Sequence, residues 1–183
     1  MNNGYAVILA LLLATTGTTA RSADSALPSR PHTDTTAGQR LAELTGLWSV
    51  KQELWLQPGP PQVDTGTAMF AMVLGGRQLQ QDLRVGSRVP FQALGYIGYD
   101  PATRRYISTW MDLNLTEVIV MRGSYDTGTR TYRLSGDMAA DDGQRIPTRE
   151  ELQQLDDGHF VVRYFETRRG KETLVVQLAY SRR

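Results

Sequence analysis

The side chains best suited to hold a small molecule fall in one stretch, Phe91 to Asp112 (FQALGYIGYDPATRRYISTWMD). If its second half is a strand, Tyr106, Trp110 and Asp112 share one face, because side chains alternate with a period of two. Aromatic walls with a few converging polar groups are how small-molecule sites are built, so these three are candidate ligand-binding residues. The competing reading is that Trp110 fills a core and Asp112 caps a turn. Two arginines offer a charged anchor. Arg77 follows Gly75-Gly76, and Arg122 lies in phase with apolar Val118 and Val120. Turned inward, either would grip a carboxylate or phosphate through parallel N–H donors. Paired with Asp82, Asp112 or Glu117, or laid along the surface, either is structural.

Catalytic chemistry finds less support. The chain has no cysteine, so it has no disulfide, zinc–thiolate site or thiol nucleophile. Two histidines, His32 and His159, are too few for a multi-histidine metal centre. His159 follows Asp157-Gly158 at a turn edge, where a local hydrogen bond is expected rather than haem ligation. Asp141-Asp142 lacks the ligand spacing of a calcium loop. There is no nucleophile elbow, no HExxH and no phosphate-binding loop, and nothing in the spacing joins His159 to Ser108, Ser124 or Ser135. Glu150-Glu151 beside Arg149 reads as a solvated charge cluster at a strand end. No metal and no cofactor are predicted, and a binding protein is favoured over an enzyme.

The elements that must position these residues are strands. From Leu47 onward apolar and polar residues alternate: Trp48, Val50, Gln52, Leu54 and Leu56 against Ser49, Lys51, Glu53, Trp55 and Gln57. Further strands are expected over Thr65–Leu74, Gln78–Val85, Phe91–Tyr99, Arg105–Leu113, Glu117–Tyr125, Arg130–Met138, Arg145–Leu152, Phe160–Glu166 and Glu172–Ser181. Between them lie turn residues such as Asp100-Pro101, Gly75-Gly76 and Asp126-Thr127-Gly128. Links this short favour antiparallel neighbours. About ten such strands should curl and close, which removes their edges. The prediction is all-β: an antiparallel up-and-down barrel of about ten strands, with a sandwich as alternative. Before it, Thr36-Ala37-Gly38-Gln39 matches a capping box and opens a short helix whose Ala37, Leu41 and Leu44 fall on one face. Neither strand face is cleanly polar, so the sequence leaves open which one is inside.

The N-terminus differs in kind. Tyr5 to Ala14 is an apolar run of the length of a signal-peptide core rather than of a membrane span, and Thr18 and Ala20 suit cleavage after Ala20. The expected organisation is a signal peptide over 1–20, a flexible linker over 21–35 and a barrel domain over 36–183. Secretion, to a periplasm in particular, follows as an expectation, with no membrane span after the signal is removed. The formal charge of +1 gives no electrostatic case for nucleic acid.

Gly46-Leu47-Trp48, opening the first strand after a short helix, resembles the GxW signature of lipocalin-type barrels. There the Trp packs across the closed end under a basic residue, a place that Arg182 or Arg163 would take here. A longer pattern comprises Leu44-x-Gly46-x-Trp48, Leu74-Gly75-Gly76-Arg77, Gly95-x-x-Gly98-Tyr99-Asp100, then Tyr106, Trp110 and Asp112, and Tyr180-Ser181-Arg182. In order and spacing it resembles a bacterial family catalogued as domain of unknown function 1579, from about Leu41 to the C-terminus. That resemblance implies a lipocalin-like barrel with Gly46, Trp48, Gly98, Tyr99 and Asp100 as structural signature, and brings no activity. The leading functional reading is a secreted barrel that binds a small, partly hydrophobic or amphipathic molecule inside. A filled barrel acting through its surface, and a hydrolase or isomerase with an unrecognised site, are the alternatives.

Overall fold

The computed structural model describes residues 35–86, 90–115, 117–140 and 142–183. The expected signal peptide, its cleavage site, His32 and Asp141 lie outside the described residues, as does all of the expected linker but Thr35. Helix α1 (Thr35–Ala42) leads into ten strands: β1 (Gly46–Leu54), β2 (Gln62–Val73), β3 (Gln78–Gly86), β4 (Phe91–Asp100), β5 (Arg105–Asp112), β6 (Ile119–Asp126), β7 (Thr131–Ala139), β8 (Arg145–Gln154), β9 (His159–Arg168) and β10 (Lys171–Arg182). Each strand pairs antiparallel with the next, and β1 pairs with β10, Trp48 opposite Arg182, so the meander closes on itself. The expected sandwich alternative is thereby removed. Closure satisfies both edges of every strand.

Alternation decides the inside. Trp48 and Val50, Ala68 and Phe70, Leu79, Leu83 and Val85, and Leu152, Phe160, Val162, Leu178 and Tyr180 are all buried, while their odd-phase neighbours are more exposed. On β5 the inner face is Tyr106, Ser108, Trp110 and Asp112; on β6 it is Ile119, Met121, Gly123 and Tyr125.

One end is plugged. Ala37 and Leu41 on α1, and Leu44 in the turn that follows it, are each 1 % exposed and belong to the barrel core. The helix begins one residue earlier than expected, so Thr36 lies in its first turn instead of at the cap. Trp48 sits beneath it, its indole N–H donating to the Leu44 carbonyl at 3.0 Å. Arg182 rather than Arg163 covers the indole, at 4.2 Å, and donates to the carbonyls of Thr45 (2.8 Å), Glu43 (2.9 Å) and Asp157 (3.0 Å). Carbonyls left over at a helix C-terminus thus find a cation. Gly46 has φ of +130°, and a Cβ there would meet the Arg182 guanidinium at 2.9 Å. Only glycine fits that latch. Trp48, Phe70, Phe160 and Tyr180 form an edge-to-face and stacked cluster that fills the plugged half.

Candidate functional site

The opposite half of the barrel is not filled. A cavity of about 410 Å³ opens there, walled by Leu54, Leu83, Phe91, Met121, Val176 and Trp110. That volume lies at the lower end of the range for sites that take drug-sized molecules. The strands β1, β3, β4, β5, β6 and β10 each send an inward side chain to it.

Trp110 is the best-defined wall. It lies against Gly95 on the neighbouring strand, where a Cβ would come within 3.3 Å of the indole, so a bare backbone gives the ring its seat. Its indole N–H donates to Asp112 Oδ2 at 2.8 Å. The backbone N–H of Asn114 donates to Asp112 Oδ1 at 2.7 Å, which ties the carboxylate to the turn after β5. The Tyr164 ring leans on Trp110 with centroids 5.9 Å apart at 52°. Asp112 therefore does both things the sequence allowed: it ends its strand and it faces the cavity.

Two further carboxylates line the same space, Asp64 and Glu166. The Gln62 amide donates to Asp64 Oδ2 at 2.7 Å, and Arg168 Nε donates to Glu166 at 2.7 Å. Among the described lining residues there is no lysine or arginine.

Deeper in the barrel lies a polar layer. Glu150 on β8 faces Tyr164 on β9, in register and hydrogen-bonded. Glu150 is 7 % exposed, and removal from water pushes its carboxyl up to about 7, a rise that the Tyr164 hydrogen bond limits. Burial, with the nearby Glu150 adding to it, raises the Tyr164 phenol well above its ordinary range. Gln81 donates to the Tyr180 hydroxyl at 2.8 Å in the same interior. Ser108, Trp110, Glu150 and Tyr164 surround a recess of about 30 Å³, into which the cavity residues Trp110 and Tyr164 also project. The Ser108 hydroxyl is buried there, and among the described residues it has no hydrogen-bond partner.

Of the residues singled out from the sequence, Trp110 and Asp112 meet in the cavity and the others do not. Tyr106 shares their face but lies at the plugged end, 4.9 Å from Tyr132 and 5.0 Å from Tyr99. Arg122 is exposed on the outer face, opposite Ile107 and Ser135, because Met121 and Gly123 take the inner phase. Arg77 sits in the β2–β3 turn at the helix end. Neither arginine reaches the cavity, so the expected cationic anchor is corrected to an acidic lining. Asp100 builds the β4–β5 turn, accepting from Thr103 Oγ1 at 2.7 Å and Ala102 N–H at 2.9 Å. Gly98 pairs with Gln78. His159 bonds Asp156 at 2.9 Å, a local contact.

Glu150 is the largest correction. It is not solvated with Glu151; it is buried, while Glu151 joins Arg149 outside at 2.6 Å, as does Glu172 at 2.8 Å. The signal was present in the phase: Ile146, Thr148, Glu150 and Leu152 recur at a spacing of two and are all buried. Tyr164 and Glu166 were missed for a related reason, since each was read as a strand residue without a face; Asp64 was missed because the strand was expected to begin at Thr65, whereas β2 begins at Gln62.

Residues 33–182 match the family described as "Protein of unknown function (DUF1579)". No curated protein matches the chain. Among solved structures it is similar to the crystal structure of Rv2717c from M. tuberculosis, with 14% identity and a TM-score of 0.62 over 80% of this chain and 97% of that one. A redesigned β-barrel aligns over 79% of this chain and 95% of its own at 12% identity, with a TM-score of 0.34. The first of these shows a shared fold.

Proposed function

The chain belongs to the DUF1579 family of proteins of unknown function, and we propose that this member binds one small, largely apolar molecule in the open half of its barrel. The observation that carries the reading is the cavity of about 410 Å³, walled by Trp110 and aliphatic side chains, in a barrel whose other half is filled by the Trp48–Phe70–Phe160–Tyr180 cluster. A barrel that needed only to fold would fill both halves, because interiors are packed to near crystal density. Burial of an alkyl chain against these walls would supply the binding energy, at about 25 cal/mol per Å² removed from water. The leader expected at residues 1–20 would deliver such a protein to the outside of the cytoplasm.

Isothermal titration calorimetry of the full chain with decanol tests the reading. One saturable site is expected. Val176→Phe, which puts extra volume into the cavity wall, should weaken binding by about tenfold or more, the equivalent of about 1.4 kcal/mol, with the melting temperature retained. Absence of saturable heat, or equal affinity in the Val176→Phe protein, would overturn it.

A further inference from the structure

Resting on that binding reading, we infer that the ligand carries a cationic, amine-type head, held by Asp112 beside the Trp110 ring, with Asp64 adding negative charge to the same cavity. The inference comes from what lines the cavity and from how each charge there is held. Glu166 is already matched by Arg168 at 2.7 Å. Asp64 and Asp112 are not: among the described residues neither has an ion-pair partner. Their hydrogen bonds come from neutral donors, the Gln62 amide, the Trp110 indole and the Asn114 backbone. Neutral donors fix a carboxylate in place and leave its charge for something else.

The aromatic geometry agrees. A cation is attracted to the face of an indole, and Trp best of all rings. Trp110 is oriented by its bond to Asp112, so the ring and the carboxylate at its N–H edge both line the cavity, with Tyr164 tilted against the ring. The hydroxyl of Ser108, 6 % exposed and without a hydrogen-bond partner among the described residues, lines the small recess that Trp110 and Tyr164 share with the cavity. A carboxylate head would meet three acidic side chains and no lining cation among the described residues, which selects against fatty acids by like-charge repulsion. The lining therefore fits a hydrophobic amine.

Three probes with one chain and different heads decide the matter: decylamine, which is cationic at neutral pH, decanol and decanoate, each titrated calorimetrically into the full chain. Decylammonium should bind at least about tenfold more tightly than decanoate, with decanol between them. Asp112→Asn should narrow the affinity ratio of decylammonium to decanol to within about twofold, whatever the change in decanol affinity itself. Should loss of the turn contact at Asn114 unfold that variant, Asp64→Asn gives the same readout from the other carboxylate. Equal binding of decylammonium and decanol, or tightest binding of decanoate, would overturn the head-group assignment and leave the barrel-binding reading standing. Failure of all three probes to bind would overturn both.

Discussion

Glu150 shows how much one residue's phase can decide. A carboxyl at 7 % exposure whose only favourable partner among the described residues is a tyrosine hydroxyl is costly to ionise. Its ionisation moves from an ordinary 4.5 in the unfolded chain to about 7 in the folded one. Below 4.5 both states hold the proton and stability is intact. As pH rises toward 7 only the folded state retains the proton, so stability falls, and above 7 the loss is complete. Glu150→Gln lacks that loss. Its gain over the parent should be near zero below pH 4.5 relative to its own acid baseline, and reach about 3–4 kcal/mol at pH 8, since one pKa unit is worth about 1.4 kcal/mol. Chemical denaturation at several pH values checks this; a pH-independent difference would show that Glu150 is hydrated in the folded state. The sequence misled at this residue because Arg149 and Glu151 flank it, and neighbours along a strand face the other way. Arg122 misled for the mirror reason. Its apolar companions Val118 and Val120 are on the outer face, which here is partly apolar.

At the scale of elements, much more was legible. The strands lie within a few residues of their expected bounds because alternation and Asp- or Gly-containing turns are local signals. Which face is interior is not local. It depends on closure between β1 and β10, residues far apart in the chain. The helix was readable from Ala37, Leu41 and Leu44, although a helix so short is marginal alone and holds only through what it covers. Its fixing point is the Trp48–Arg182 latch. Leu44→Asp places an unpaired charge at a site 1 % exposed and should cost roughly 3–5 kcal/mol in thermal or chemical unfolding. Arg182→Lys should lower the melting temperature more than Arg183→Lys, because a lysine cannot span three carbonyls while stacking on the indole. Equal melting of the two lysine variants would mean that the latch contributes nothing.

The whole molecule is a barrel divided lengthwise into two uses. The end under α1 is filled by aromatics and stabilises the fold; the other end leaves a cavity whose charged lining is acidic. The sequence pointed to a closed barrel of about ten strands, which leaves more interior room than one of eight. It offered no means of choosing arginine or aspartate for the lining, since that choice follows from the phase of every strand at once. The two ends each carry a tryptophan with a defined indole partner, Leu44 for Trp48 and Asp112 for Trp110. They serve as built-in reporters. The most direct measurement is therefore a proton–nitrogen correlation spectrum of the full chain during titration with decylamine. The Trp110 indole N–H should shift along a saturable course, together with the backbone amides of Met121 and Val176, while the Trp48 indole N–H stays in place. An unmoved Trp110 signal, or shifts confined to the outer face at Leu47 and Met69, would contradict binding inside the barrel.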